Sequence, residues 1–155
     1  MTDIKTILLD ALEDEYKAEA TYAAILERFG DVRPFSNIVD AERRHSNAIA
    51  RQLQRLGHAV PANQWMGKIE APATLTGACS EAIKAETDNI ALYDRLLPGI
   101  PDPEVRQVLE NLQRASRENH LPAFRRCLER SQGQGQGRGP GRGRGRGQGP
   151  GRGCS

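Results

Sequence analysis

Four stretches of the chain carry apolar residues at the period of an α-helix, about 3.6 residues, and this repeated pattern constrains the fold more than any other feature. The stretches cover about residues 3–29, 34–56 and 78–97, and the fourth opens at Asp102-Pro103-Glu104 and continues to Leu128. Gly30 and Gly57 end the first two, and Asp-Pro-Glu has the composition of a helix N-terminus. The chain is therefore predicted to be all-α.

The connections between these helices differ in length. Short turns at residues 31–34 and 98–101 join the first helix to the second and the third to the fourth. Between helices two and three, about twenty residues from His58 to Gly77 contain prolines and glycines and show no helical period. Since short turns join antiparallel neighbours, we predict an antiparallel four-helix bundle with a long crossover between helices two and three.

The C-terminal part of the chain has a different composition. Of the 16 glycines, 11 occupy every second position from Gly133 to Gly153. Five of the 22 basic residues and none of the 20 acidic ones lie there, so the body has 17 basic against 20 acidic residues and a net charge of −3. We predict a domain of residues 1–131 and a disordered Gly/Arg/Gln-rich tail of residues 132–155. Only the tail would contact nucleic acid or acidic surfaces, weakly and without the aromatic residues that stack on bases.

The body carries no sign of a membrane segment. No apolar run approaches the ~18 residues of a membrane span, and the N-terminus enters the amphipathic pattern without the apolar core of a signal peptide. We therefore expect a cytoplasmic protein with no membrane partner, in a compartment that keeps thiols reduced.

Ionisable residues occupy the centres of the apolar stripes, where leucine is the usual residue. At about 100° per residue, Glu15, Glu42 and Glu86 lie in the middle of the apolar faces of helices one, two and three. His120 takes this position in helix four, and His45, three residues after Glu42, shares its face. Each helix therefore directs at least one ionisable group inward near its midpoint.

These inward groups predict a metal site. Three carboxylates buried together are strongly unfavourable without compensation, and a divalent cation removes that penalty. Carboxylate and imidazole donors at Glu-x-x-His spacing suit iron, manganese or zinc. One inward Glu or His is most often a boundary or core residue, but five such positions at one depth favour metal binding. The predicted ligands are Glu15, Glu42, His45, Glu86 and His120.

An internal repeat relates helices one and three. Glu15 to Tyr22 and Glu86 to Tyr93 share the pattern Glu-x4-Ala-x-Tyr at an offset of 71 residues. Each tyrosine lies two turns from its glutamate on the same face, where its phenol would hydrogen-bond a ligating carboxylate of a neighbouring helix. The alternative is that both are ordinary core aromatics.

The residues quoted above resemble the ferritin-like superfamily, and its rubrerythrin side in particular. The resemblance rests on Glu15 with Tyr22, on Ala41-Glu42-Arg43-Arg44-His45, on the crossover and on Glu86 with Tyr93. Glu110 to Ser116, Asn119-His120-Leu121 and Ala123-Phe124 are similar to the second half of small uncharacterised bacterial and archaeal ferritin-like proteins. The resemblance covers nearly all of residues 3–130.

The resemblance implies a carboxylate-bridged metal centre, usually di-iron, that handles oxygen, peroxide or ferrous iron. By position, Glu15 and Glu86 would be terminal ligands, Glu42 the bridging one, and His45 and His120 the imidazole ligands. Relatives of this kind commonly dimerise, so a homodimer is a candidate assembly, although no surface stripe indicates one.

Helix four departs from the family pattern, because Arg117 stands three residues before His120 where the family has Glu. Three carboxylates balance less of the charge of two divalent ions. The expected site is therefore either mononuclear or an asymmetric pair completed by Glu19, hydroxide or water. Pro122 lacks the N–H that would bond the carbonyl of Glu118, so helix four is expected to bend just past His120.

Two cysteines fall near the predicted site. Cys79 lies seven residues before Glu86 and Cys127 seven after His120, so on antiparallel helices both lie ~10 Å from the metal level in the same direction. We predict that they face each other, either as a disulfide or thiol pair that stores electrons near the metal or as two small core residues. A reducing compartment favours the second.

The function that these features favour is a metal-binding bundle with redox activity toward oxygen, peroxide or ferrous iron, of the ferroxidase or peroxidase kind. Two alternatives stay open. One is a non-catalytic helical binding module whose tail tethers nucleic acid, and the other is a metal buffer without turnover.

Overall fold

The structure is a computed structural model that describes residues 3–135, and within that range it is helical without strands. The helices are α1 (Ile4–Phe29), α2 (Phe35–Arg55), α3 (Leu75–Leu96), α4 (Pro103–Ala115) and α5 (Leu121–Gly135). A π-helical turn, Ser116–His120, joins α4 to α5 into one continuous fourth rod. The predicted all-α class is confirmed, and the four rods correspond to the four apolar stripes.

Side-chain caps define where three of the helices begin. The carboxylate of Asp3 accepts a hydrogen bond from the Thr6 N–H, and that of Asp102 accepts two, from the N–H groups of Glu104 and Val105. The Thr74 hydroxyl caps α3 by accepting a hydrogen bond from the Gly77 N–H. With this cap the helix starts at Leu75, three residues before its predicted start at residue 78. The hydroxyl satisfies an N–H that the first turn of a helix leaves without a partner.

Buried apolar residues form two clusters, one at each end of the bundle. The first contains the start of α1, the end of α2, the end of α3 and the start of α4: Ile7, Leu8, Leu12, Ile49, Leu53, Tyr93, Val105 and Leu109. The second contains the opposite ends of these rods: Tyr22, Ile25, Phe35, Val39, Ala78, Cys79, Phe124 and Cys127. Thus α1 is antiparallel to α2, α3 is antiparallel to the fourth rod, and α2 and α3 run in the same direction.

The crossover follows from these directions, because the chain must return along the bundle before α3 can run parallel to α2. Residues 56–74 make this connection. Hydrogen bonds attach the crossover to α1: the Tyr16 phenol donates to the carbonyl of Pro61 at 2.7 Å, and the Trp65 indole donates to Glu13 Oε2 at 2.7 Å. The predicted long crossover is therefore present and packs on the first helix.

The fourth rod changes its hydrogen-bond pattern immediately before the predicted bend. The helix widens over Ser116–His120, where the Leu121 N–H donates to the carbonyl of Ser116, five residues back. Pro122 has no N–H, and the shift of the bonding pattern by one residue occurs immediately before it. A π turn of this kind rotates the residues on it relative to the faces of α4 and α5.

Cys79 of α3 and Cys127 of α5 form a disulfide, with their Cα atoms 5.8 Å apart. The prediction that they face each other is confirmed, whereas the interpretation as two reduced core thiols is wrong for this structure. That interpretation rested on an assumed reducing compartment. The geometry decides otherwise, because the separation of the two Cα atoms lies in the range that a disulfide requires.

The C-terminal boundary also differs from the prediction. Helix α5 continues to Gly135, so residues 132–135, which the composition assigned to the tail, are helical. The buried Ser131 donates its hydroxyl hydrogen to the carbonyl of Leu128 within this helix. The predicted disorder and nucleic-acid contacts of residues 136–155, including the thiol of Cys154, lie outside the described residues. Among the helices of residues 3–135, none is both long and apolar enough to cross a bilayer.

Candidate metal centre

The five predicted ligands meet in the middle of the bundle, between the two apolar clusters. Glu15 comes from α1, Glu42 and His45 from α2, Glu86 from α3 and His120 from the last position of the π turn. Their exposed fractions run from 1% for Glu15 to 8% for His45. Their donor atoms form two groups that share one residue: Glu15, Glu42 and His45 in the first, and Glu42, Glu86 and His120 in the second.

The carboxylate of Glu42 lies between the two histidines. Its Oε1 is 3.0 Å from Nδ1 of His45, and its Oε2 is 3.7 Å from Nδ1 of His120. Outside it, Oε1 of Glu15 is 3.3 Å from Nδ1 of His45, and Oε1 of Glu86 is 3.4 Å from Nδ1 of His120. One oxygen of Glu42 therefore faces each group, which is the arrangement of a carboxylate that bridges two cations.

Several of these donor atoms have no hydrogen-bond partner among the described residues. They are Oε1 of Glu86, Nδ1 of His120 and Oε1 of Glu42, which lies 3.0 Å from Nδ1 of His45 without the geometry of a hydrogen bond; Ser46 Oγ, outside both groups, is the fourth such atom. Buried polar atoms without partners are rare in native proteins and cost about 1–3 kcal/mol each. Glu42, Glu86 and His120 form the second group, in which one donor atom of each residue lies within 4.8 Å of the others, so the donor set fits a metal ion.

The pKa values of the buried carboxyl groups show how burial and neighbouring charges act on them when no cation is bound. Burial, followed by the charges of Glu15 and Glu86, raises the pKa of Glu42 well above its ordinary value. Burial acts in the same direction on Glu15, but the hydrogen bond and charge of His45 and the Tyr93 phenol outweigh it and lower the Glu15 pKa to about 2. These shifts favour the ionised form of Glu15 and the protonated form of Glu42.

Two tyrosines hold the outer oxygens of the terminal carboxylates. Tyr22 of α1 donates to Oε2 of Glu86 at 2.7 Å, and Tyr93 of α3 donates to Oε2 of Glu15 at 2.5 Å. Each repeat thus supplies the phenol for the other repeat's glutamate. Burial raises the pKa of both phenols well above the ordinary value, which keeps them as donors. These bonds turn the Oε1 atoms of both glutamates toward the histidines.

Sequence reasoning missed a polar network beside Glu15. Asn89 of α3 donates to Oε2 of Glu15 at 3.0 Å and to Oδ2 of Asp14 at 2.6 Å, and it accepts from Ser116 Oγ at 3.0 Å. Burial raises the pKa of Asp14 to about 6. The repeat contained a signal for Asn89, because the offset of 71 residues pairs this polar residue with Ala18. The amide and the hydroxyl had no visible partners until the helices packed.

The network makes the two halves of the site unequal. Glu15 has contacts with Tyr93, Asn89 and His45, whereas Glu86 is hydrogen-bonded by Tyr22 at Oε2 and has a free Oε1. The difference follows from the repeat, since Ala18 cannot supply to Glu86 the amide that Asn89 supplies to Glu15.

Other residues considered from the sequence lie outside both groups. Arg117 and Glu118 are exposed on the π turn, so the arginine does not place its charge in the site. Ser116, four residues before His120, takes the buried position instead, with 1% of its surface exposed. Glu19 is buried, but its carboxylate turns to Arg43, 3.3 Å away, and joins neither group.

A cavity of about 290 Å³ opens between α1 and α3 and reaches two of the five predicted ligands, Glu42 and Glu86. Small side chains, including Ala18 and Ala85, form part of its walls.

Comparison of the chain with models of known protein families finds no match, and no curated protein is significantly similar to it. The interpretation of the site therefore depends on its geometry.

Proposed function

We propose that this protein is a ferritin-like metalloprotein that binds one or two divalent transition-metal ions, iron being the expected one, through Glu15, Glu42, His45, Glu86 and His120. The single observation that carries the proposal is the buried group of Glu42, Glu86 and His120, whose donor atoms lie within 4.8 Å of one another and which each carry a buried ligand atom without a hydrogen-bond partner among the described residues. The two groups that share Glu42 support a bridged pair of ions, and the first or second group alone would bind one.

The path of the chain supports the ferritin-like part of the proposal. Two antiparallel helix pairs are joined by one long crossover, and inward carboxylates and imidazoles lie at the middle of the rods. Glu42 and His45 are three residues apart on α2, which is the Glu-x-x-His spacing of carboxylate-bridged metal proteins. The fourth rod lacks this pair, and the buried residue beside His120 is Ser116.

The proposed activity is redox chemistry in which oxygen or peroxide is reduced and ferrous iron is oxidised. A bound iron ion would supply redox chemistry and Lewis acidity. The chain's own residues position the ligand atoms: Glu42 presents one oxygen to each histidine, and Tyr22 and Tyr93 orient the carboxylates of Glu86 and Glu15. The two apolar clusters lie at the two ends of the site.

Metal analysis of matched variants tests the binding. Protein loaded with Fe²⁺ without oxygen and then desalted should retain iron, and Glu42→Gln and His120→Ala should lose most of it. Glu118→Gln and His58→Ala are the controls, because Glu118 is exposed and neither residue belongs to the two groups. Retention of iron by both site variants at the level of their controls would overturn the proposal.

Peroxide consumption by the loaded protein separates catalysis from storage. Turnover that Glu42→Gln abolishes supports the redox activity. Stoichiometric binding with no consumption of peroxide or oxygen would show that the protein buffers metal without turnover.

A further inference from the structure

The cavity between α1 and α3 joins solvent to one edge of the metal centre. Of the five candidate ligands it reaches Glu42 and Glu86, and it does not reach Glu15 or either histidine. The two glutamates are each 2% exposed, and each has a buried Oε1 without a hydrogen-bond partner among residues 3–135. Both residues thus line a cavity that opens to solvent, and each carries a buried ligand atom.

The internal repeat explains why the passage opens on this side. Asn89 and Asp14 also line the cavity and bound it on the side of Glu15 with a chain of hydrogen bonds. The residues at the matching positions beside Glu86 are Ala18 and Ala85, 71 residues away in each case. Two methyl groups in place of an amide and a carboxylate leave a gap in the wall of the bundle.

The charges along the passage suit a cation. Five carboxylates line it, from Asp14, Glu42, Glu81, Glu86 and Asp88, against two lysines. Lys84 pairs with Asp88, one of these carboxylates, at 2.8 Å, and Lys17 lies 5.1 Å from the centre of the Trp65 ring, so four carboxylates remain against Lys17. Glu81, which is exposed, remains as an acidic group toward solvent.

We infer that this passage is the route by which divalent cations enter and leave the metal centre, with Glu86 and Glu42 as the first ligands they meet. The inference rests on the proposed metal binding and adds where exchange takes place. An acidic channel with low-dielectric walls concentrates cations and speeds their association. The Glu86 and His120 half of the site is thus the exchangeable half, and the Glu15 half, held by Asn89 and Tyr93, is the inner one.

Cobalt(II) uptake without oxygen tests the route, because its visible absorption reports carboxylate and imidazole binding without any turnover. Stopped-flow mixing gives the association rate, and displacement by a chelator gives the dissociation rate. Ala18→Leu fills the passage and leaves every ligand in place. Ala85→Leu does the same from α3, and Ala91→Leu, at an exposed position of α3, is the matched control.

A blocked route slows entry and exit equally and leaves the equilibrium unchanged. We expect both rate constants to fall by at least about tenfold in Ala18→Leu or Ala85→Leu, which is about 1.4 kcal/mol on the barrier, with an unchanged Kd. Ala91→Leu should match the wild type. Circular dichroism and the cobalt stoichiometry show that each variant is folded. If Ala18→Leu and Ala85→Leu are folded and fully loaded but exchange cobalt at the wild-type rates, the proposed route is wrong.

Charge gives an independent measurement on a variant that fills no space. Glu81→Gln should slow association and reduce its dependence on ionic strength, because screening acts over about 10 Å at 0.1 M salt. Glu129→Gln, exposed on α5 and outside the passage, is its control. Equal salt dependence in both variants would contradict the role of Glu81. If the wild type takes up no cobalt at all, the proposed function fails instead of the route.

Discussion

Reduction of the disulfide between Cys79 and Cys127 should lower the free energy of unfolding by about 4 kcal/mol. The bond joins α3 to α5 and closes a loop with a sequence separation of 48 residues. A cross-link restricts the unfolded chain, and the loss of entropy grows with the logarithm of the loop length. For a loop of this length the chain-entropy relation corresponds to about 4 kcal/mol at 25 °C. That is a large share of the ~5–15 kcal/mol that stabilises a typical domain.

Urea unfolding of the same protein with and without the bond provides the measurement. Reduction leaves the core volume almost unchanged, whereas substitution to alanine would add a cavity to the difference. The sulfur-bearing side chains are 0% and 3% exposed for Cys79 and Cys127, so a reductant reaches them only when the chain opens. The protein should be unfolded in reductant and refolded by dilution before the titration.

Two controls isolate the disulfide. Cys154→Ser serves as the background, so that thiol exchange involves only Cys79 and Cys127. The variant with Cys79→Ala and Cys127→Ala should show the same unfolding midpoint with and without reductant. Equal free energies of unfolding for the oxidised and reduced forms, with two new thiols verified by titration, would refute the reasoning.

Three further predictions concern the metal centre. Tyr93→Phe removes the phenol that donates to Oε2 of Glu15. Because hydrogen bonds to charged groups contribute about 1.5–3 kcal/mol, the free energy of unfolding of the metal-free protein in urea should fall by that amount. Tyr16→Phe, which loses only a bond to the carbonyl of Pro61, should cost less, and equal losses would contradict the role of Tyr93. Metal affinity should rise with pH, because burial and the charges of Glu15 and Glu86 raise the pKa of Glu42 and an incoming cation must displace its proton. Calorimetry in buffers of different ionisation enthalpy should detect the released proton, and affinity that does not change with pH would count against this explanation. Arg117→Glu creates the Glu-x-x-His spacing before His120 but places the new carboxylate on the exposed side of the π turn. The metal stoichiometry should therefore not change. Tighter or additional binding in equilibrium dialysis would show that residue 117 reaches the site.

Most of the fold follows from local pattern. The helical period, the glycines that end α1 and α2 and the Asp102 cap are contained in short stretches of sequence, and the structure agrees with them. The errors occur where a longer-range or competing effect acts. Thr74 starts α3 early, and a π turn that the sequence did not predict forms before Pro122, because hydrogen-bond patterns there have more than one local solution.

The site was predictable to the level of residue type and face. Charge at the centre of an apolar stripe is costly, so Glu15, Glu42, Glu86 and His120 were visible from the period alone. The role of Asn89 was not visible from the helical period, since an amide is common on the exposed surface of a helix. Its importance depends on Glu15, Asp14 and Ser116, which come from other helices.

The sequence by itself determined that four helices form, that each directs an ionisable group inward and that a long crossover separates the second from the third. These properties depend on the spacing of residues within one helix or loop. The tertiary structure decided that Glu42 lies between the two histidines, that Cys79 and Cys127 are bonded and that the Glu86 side is open where Asn89 closes the other. Those outcomes depend on distances of a few ångströms between side chains far apart in the chain, and only the packing of the helices sets such distances.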